Sequence, residues 1–133
     1  MSAANITVTK SRADELIHFL HSFSVPGRQF RTRWSEDILP QPYYPADVLE
    51  FFQRAGMEWW MDATYDPSTS AEMLDDEQRV MSADINSIKT MLTFCVRGER
   101  FADGFWGSIL EDGRLLRLLR RLEQIRSTLP DSP

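Results

Sequence analysis

Residues 82–129 read SADINSIKTMLTFCVRGERFADGFWGSILEDGRLLRLLRRLEQIRSTL. Three helical segments follow one another there, each with an apolar face and a stop. In the first, starting at Ser82 or Asp84, Ile85, Ile88, Leu92, Cys95 and Val96 recur at helical spacing, and Asn86, Ser87, Thr90, Thr93 and Arg97 take the opposite side. Met91 and Phe94 flank the stripe, so this helix is expected to be covered on more than one side, and Gly98 is its stop. The second is read from Glu99 to Asp112, with Phe101, Phe105, Trp106 and Ile109 in phase. Gly104 and Gly107 would weaken it by roughly 1 kcal/mol each against alanine, so their presence implies that another helix or a ligand comes close to the backbone. The third spans 114–129. Leu115, Leu118, Leu119, Leu122, Ile125 and Leu129 form one face, and Arg114, Arg117, Arg120, Arg121 and Gln124 the other. Arg126 falls on the apolar side and must reach outward or pair.

Working outward, Pro45 suits the first turn of a helix reaching Ala55, with Val48, Leu49, Phe51, Phe52 and Ala55 as its buried face. Trp59 and Trp60 follow, and adjacent side chains diverge, so one is expected in the core and the other at a groove. The acidic run 71–81 reads as a short helix after an Asp66-Pro67 turn. Residues 11–22 read as a first helix capped by Ser11, with Leu16, Ile17, Phe19, Leu20 and Phe23 on one face. Between these helices, residues 28–46 interleave Arg28, Arg31 and Arg33 with Phe30 and Trp34, then carry three prolines, which predicts an extended loop pinned by its aromatics. Ile6 and Val8 alternate with Thr7 and Thr9 as in a small edge strand or a frayed terminus. The expectation is a compact all-α bundle of five to six short helices in one domain, 1–133, with 82–129 as its core unit. A minor strand or hairpin would lie near the N-terminus or around Trp59.

The chain has 133 residues and an apolar fraction of 42%, enough for a real core without disulfides, and its one cysteine, Cys95, cannot make an internal one. No apolar run reaches the roughly 18 residues of a membrane span, and the opening MSAANITVTK lacks the apolar block of a secretion signal. A cytoplasmic location without membrane contact is expected. The net charge of −5 argues against a general nucleic-acid binder, although residues 97–133, with seven basic and six acidic groups, leave room for a local basic patch.

The run from Ile88 to Trp106 resembles the DUF6508 family of uncharacterised bacterial and phage-associated proteins. Leu92, Thr93, Val96, Arg97, Glu99, Arg100, Phe101, Asp103 and Gly104 match its motif LLT-x-x-VR-x-(D/E)RF-x-(D/E)G. Upstream, Tyr44-Pro45 before a helix and Glu58-Trp59-Trp60 match more loosely, and Phe105 stands where the family often has a histidine. The resemblance implies a fold and names no reaction.

Two groups of residues are candidates for a binding site, and no catalytic residue, metal ligand set or cofactor is assigned. Arg97, Glu99, Arg100 and Asp103 crowd charge at a helix junction. Their arginine forks suit a phosphate or carboxylate; the alternative is an internal ion-pair network, where losing one member of a buried network would cost about 3–5 kcal/mol. Glu58 and Asp62 beside Trp59 and Trp60 can make a carboxylate–aromatic pocket. Tyr43, Tyr44, Trp59, Trp60 and Trp106 are candidate exposed interface anchors. The function expected first is a binding or regulatory module acting through an unknown protein partner. A small-molecule binder or enzyme with its site at 97–103 is the alternative. Nucleic-acid binding through Arg28–Trp34 or Arg114–Arg121 ranks below both. His18 and His21 lack a third ligand, and Cys95 reads as a core residue.

Overall fold

A computed structural model describes residues 6–30, 33–34 and 42–131, with backbone alone at 33–34 and 42–43. The fold is all-helical, and it has more helical segments than the five to six expected. They are α1 (Lys10–Ile17), α2 (Leu20–Phe23), α3 (Ala46–Ala55), α4 (Pro67–Asp75), α5 (Glu77–Met81), α6 (Ile85–Gly98), α7 (Phe105–Glu111) and α8 (Arg114–Ile125), with 3-10 turns at Glu58–Trp60 and Arg126–Thr128.

The increase comes from breaks inside expected helices. The first helix begins two residues early because Thr9, not Ser11, caps it: the Thr9 hydroxyl accepts from the Arg12 N–H at 3.2 Å. It breaks at His18-Phe19, where the Phe19 N–H bonds Leu16 O at 3.1 Å, an i−3 bond that tightens the turn. Phe19 and Phe23 then both enter the core and stack with centroids 5.6 Å apart. The acidic run is two helices joined at Asp76, whose carboxylate accepts from the Gln78 and Arg79 N–H groups. Residues 6–9 form no ladder, though Val8 and Thr9 are buried. The one strand pair among the described residues lies inside the proline-rich loop instead of at either expected place. It is a two-residue antiparallel ladder of β1 (Arg33–Trp34) and β2 (Pro42–Tyr43), with Arg33 opposite Tyr43. The pinning expected of Trp34, Ile38 and Leu39 lies outside the described side chains, while Phe30 is buried as expected.

α8 is the hub. Its Leu115, Leu118, Leu119 and Leu122 are fully buried, and it packs against α1, α2, α4, α5, α6 and α7. Arg126 pairs with Asp14 of α1 at 2.5 and 2.8 Å, so the arginine on the apolar side ends in an exposed ion pair. α6 is the second axis, touching α3, α4, α7, α8 and the turn at Glu58–Trp60. Thr93 belongs to its buried side, against the periodicity reading. Its hydroxyl donates to Lys89 O at 2.9 Å and accepts from the Asp62 N–H at 2.8 Å, and these bonds remove the penalty of burying it. On α3 the deviation runs the other way: Val48, Phe51, Phe52 and Ala55 are buried, but Leu49 is 50% exposed.

The start of α3 is held by Arg28 in the preceding loop. Its guanidinium meets both Asp47 oxygens at 2.6 and 2.7 Å, and Ser22 donates to Asp47 at 2.8 Å. The Arg28 bonds hold the Asp47 carboxyl below its ordinary value of 3.8, with burial opposing and Ser22 assisting. A carboxyl depressed on folding adds stability that is present above the unfolded value and is lost as pH falls through the folded one. Asp47→Asn is therefore expected to lower stability at neutral pH by about 1–2 kcal/mol and to flatten the decline below the ordinary carboxylate range, as read by denaturant unfolding across an acid series.

Candidate functional site

The junction between α6 and α7 carries four of the expected site residues. It is not the continuous helix expected over 99–112. After Gly98 the chain turns through Glu99–Gly104, and Gly104, with φ +88°, lies in the left-handed region before α7 begins. The turn is closed by Phe101 N–H to Gly98 O and Phe105 N–H to Ala102 O, at 3.1 and 3.0 Å.

Glu99 organises this turn. Its Oε2 accepts from the Gly104 N–H at 2.8 Å and its Oε1 from the Trp106 N–H at 2.9 Å. The Tyr44 hydroxyl donates to the same Oε1 at 2.9 Å and accepts from the Gly107 N–H at 3.4 Å. Ser108 N–H reaches Gly104 O at 3.1 Å. The first four N–H groups of α7 are thus all bonded, two by side chains outside the helix. At the other side of the junction, the Trp106 indole N–H donates to Cys95 O at 3.0 Å and Val96 O at 3.3 Å, carbonyls near the α6 terminus. Tyr44 and Glu99, both positions of the family resemblance, therefore meet across the fold.

The four charged residues do not form the expected internal network. Among the described residues, no ion pair joins Arg97, Glu99, Arg100 and Asp103 to one another or to other groups. Arg97 instead lies over the Tyr65 ring, 5.0 Å from its centroid. Arg100 and Asp103 border an open cleft of about 580 Å³ between α3 and the junction, with Leu49, Phe52, Val96 and Trp106 as its apolar lining. Phe52 and Trp106 stack nearly parallel there, with centroids 4.1 Å apart. Phe101, expected in the buried face of a helix, is 82% exposed because it sits in the turn.

The second candidate group lies elsewhere. Trp60 is buried, and Trp59 is half-buried beneath the Arg12 guanidinium at 4.2 Å. Asp62 accepts from the Thr90 hydroxyl at 2.6 Å and from the Thr64 N–H and hydroxyl at 2.9 and 2.7 Å. The Thr90 bond, ahead of the Thr64 bonds, holds its carboxyl below the usual range against the effect of burial. Asp62 thus ties the loop to α6. Glu58 is exposed on the 3-10 turn and does not line the cleft. Of the aromatic anchors, Tyr44, Trp59 and Trp106 are half-buried and Trp60 is buried, which corrects the expectation of an exposed aromatic set; the Tyr43 side chain lies outside the description. Cys95 is in the core, and burial pushes its thiol up to about 12, which removes it as a nucleophile. Among the described residues, no group of three or more potential ligands is placed to hold a metal ion, and no helix is long and apolar enough to cross a membrane.

The chain matches the model of a family of unknown function, DUF6508, over residues 8–128. It belongs to that family. No curated protein and no solved structure matches it. The DUF6508 motif at Leu92–Gly104 thus falls on the end of α6 and on the turn that Glu99 closes. Sequence reasoning missed Leu49 as a cleft residue and Lys89 as a buried cation. Lys89 was legible, because Ile85 and Leu92 stand four before and three after it on one helix face.

Two consequences are measurable. Glu99→Ala strips an acceptor from two backbone N–H groups and is expected to cost about 2–3 kcal/mol, with Tyr44→Phe costing about 1 kcal/mol and the double mutant less than the sum. Gly98 lies under the Phe105 ring, where an added Cβ would clash with two ring atoms. Gly98→Ala is expected to destabilise by about 1–3 kcal/mol in the native background and by clearly less beside Phe105→Ala, as read by a double-mutant cycle.

Proposed function

We propose that this DUF6508 member is a cytoplasmic binding or regulatory module that acts through protein contacts, with the cleft between α3 and the α6–α7 turn as its docking surface. The observation that carries this reading is Leu49, 50% exposed on the cleft wall beside the stacked Phe52–Trp106 floor, with Phe101, 82% exposed, in the turn between the lining residues Arg100 and Asp103. Large apolar side chains grouped at a concavity are the usual mark of a partner site. Arg100 and Asp103 give the rim charges of both signs, beside Glu99, whose oxygens are taken up by the turn, and this suits an amphipathic segment that seats an apolar anchor and pairs at its edges.

A small-molecule reading of the same cleft draws on Arg100, which has no ion-pair partner among the described residues, and on a cleft volume in the range of ligand sites. The nucleic-acid reading is weakened by the pairing of Arg28 with Asp47 and of Arg114 with Asp75 and Asp112.

Phe101→Ser and Leu49→Asp alter exposed positions and are expected to change stability by no more than about 0.5 kcal/mol. Each should weaken partner capture by about thirtyfold or more, while a remote exposed change, Arg120→Ser, leaves capture intact. Affinity capture followed by mass spectrometry and titration of the recovered partner provides the readout. A partner held equally by both cleft variants would refute the docking surface. Loss of a small metabolite instead of a protein would favour the second reading.

A further inference from the structure

A second cleft, of about 500 Å³, lies between residues 6–8, the start of α6 and the end of α8. It shares no lining residue with the Arg100 cleft. Its walls are largely apolar, with Val8, Ile85, Ile125 and Leu129 among them, and two cations, Lys89 and Arg121, stand in it.

Lys89 is the unusual member. The residue as a whole is only 7% exposed and its ammonium is part-buried, and withdrawing an ammonium from water is costly unless its three donors are used. Among the described residues it has a single hydrogen bond, to Ile6 O at 3.3 Å. Burial lowers its pKa, and Asp62, whose oxygens are occupied by Thr90 and Thr64, only partly opposes this. Arg121 is bonded to two neutral acceptors, Ala83 O at 2.9 Å and Gln124 Oε1 at 3.3 Å. The carboxylate bordering the cleft, Asp84, is committed to capping α6, where it accepts from the Ser87 N–H at 2.8 Å. The cleft therefore combines two cations, neither bound to a carboxylate among the described residues, with walls that favour hydrocarbon.

We propose that this cleft binds a small organic acid, a monocarboxylate with an apolar tail, whose carboxylate meets Lys89 and Arg121 while the tail lies on Ile85, Ile125 and Leu129. The fixed charge of Asp84 disfavours a dianion such as phosphate, and the apolar share of the walls favours a ligand with a hydrocarbon part. The volume is that of a ligand site and is too small for a folded partner. A bound carboxylate would supply the charged acceptor that the part-buried ammonium lacks.

The test is a methyl NMR titration of the full chain with the saturated monocarboxylates from butanoate to octanoate, with 1-hexanol and hexylamine as neutral and cationic controls. Methyl signals of Ile85, Ile125 and Leu129 are expected to shift and saturate with at least one acid, and to respond to neither control. Lys89→Met keeps the apolar stem and should weaken that acid by about tenfold or more. Arg121→Gln provides a second variant on the more accessible cation, with the same direction expected, should Lys89→Met fail to fold. No saturable shift with any acid of the series overturns the proposal. So does an equal response to 1-hexanol, or an affinity unchanged in a folded variant.

Discussion

The burial of the α8 leucine face is the interaction on which the other elements depend. Leu115, Leu118, Leu119 and Leu122 are removed from water by six other helices. Each such side chain contributes roughly 1.5–3 kcal/mol relative to exposure, and no other helix touches so many neighbours. Several short helices, among them the four-residue α2 and five-residue α5, would not hold their shape alone. They persist because they close over α8. α1 and the residues after α8 are tied into the same assembly, with Lys10 N–H donating to Pro130 O at 2.9 Å and Arg126 pairing with Asp14.

Around this hub, the α6–α7 junction is held by polar bonds with little help from volume. Glu99 and Tyr44 complete the start of α7, and the Trp106 indole covers carbonyls near the end of α6. Arg97 lies over Tyr65, and Arg100 and Asp103 are left without an ion-pair partner among the described residues. Arg100 and Asp103 border the cleft, and Phe101 is pushed outward by the turn that Glu99 closes. The same bonds that shape the backbone therefore present the surface, which is why a charge-dense motif here need not be catalytic.

The two clefts differ in physical character. The one beside α3 is rimmed by the opposite charges of Arg100 and Asp103 and lined by the exposed Leu49. The one beside Lys89 sets that part-buried ammonium and Arg121 among Val8, Ile85, Ile125 and Leu129. They sit on different parts of α6, the first near its C-terminal residues Val96 and Glu99 and the second near its N-terminal residues Ile85 and Lys89.

By itself, the sequence determined the helical class, the leucine face of α8, the buried stripe of α6 and the family motif. These are local properties: side-chain spacing at 3.6 residues per turn fixes which residues share a face. Tertiary structure decided which of those faces are covered. Leu49 belongs to the apolar side of α3 by spacing and is exposed because no neighbour reaches it, whereas Thr93 belongs to the polar side of α6 and is buried because the Asp62 loop covers it. It also decided the role of Glu99, whose partner Tyr44 lies 55 residues away. Periodicity carries no information about contacts at that separation, because they depend on how helices with ambiguous faces pack around a shared core.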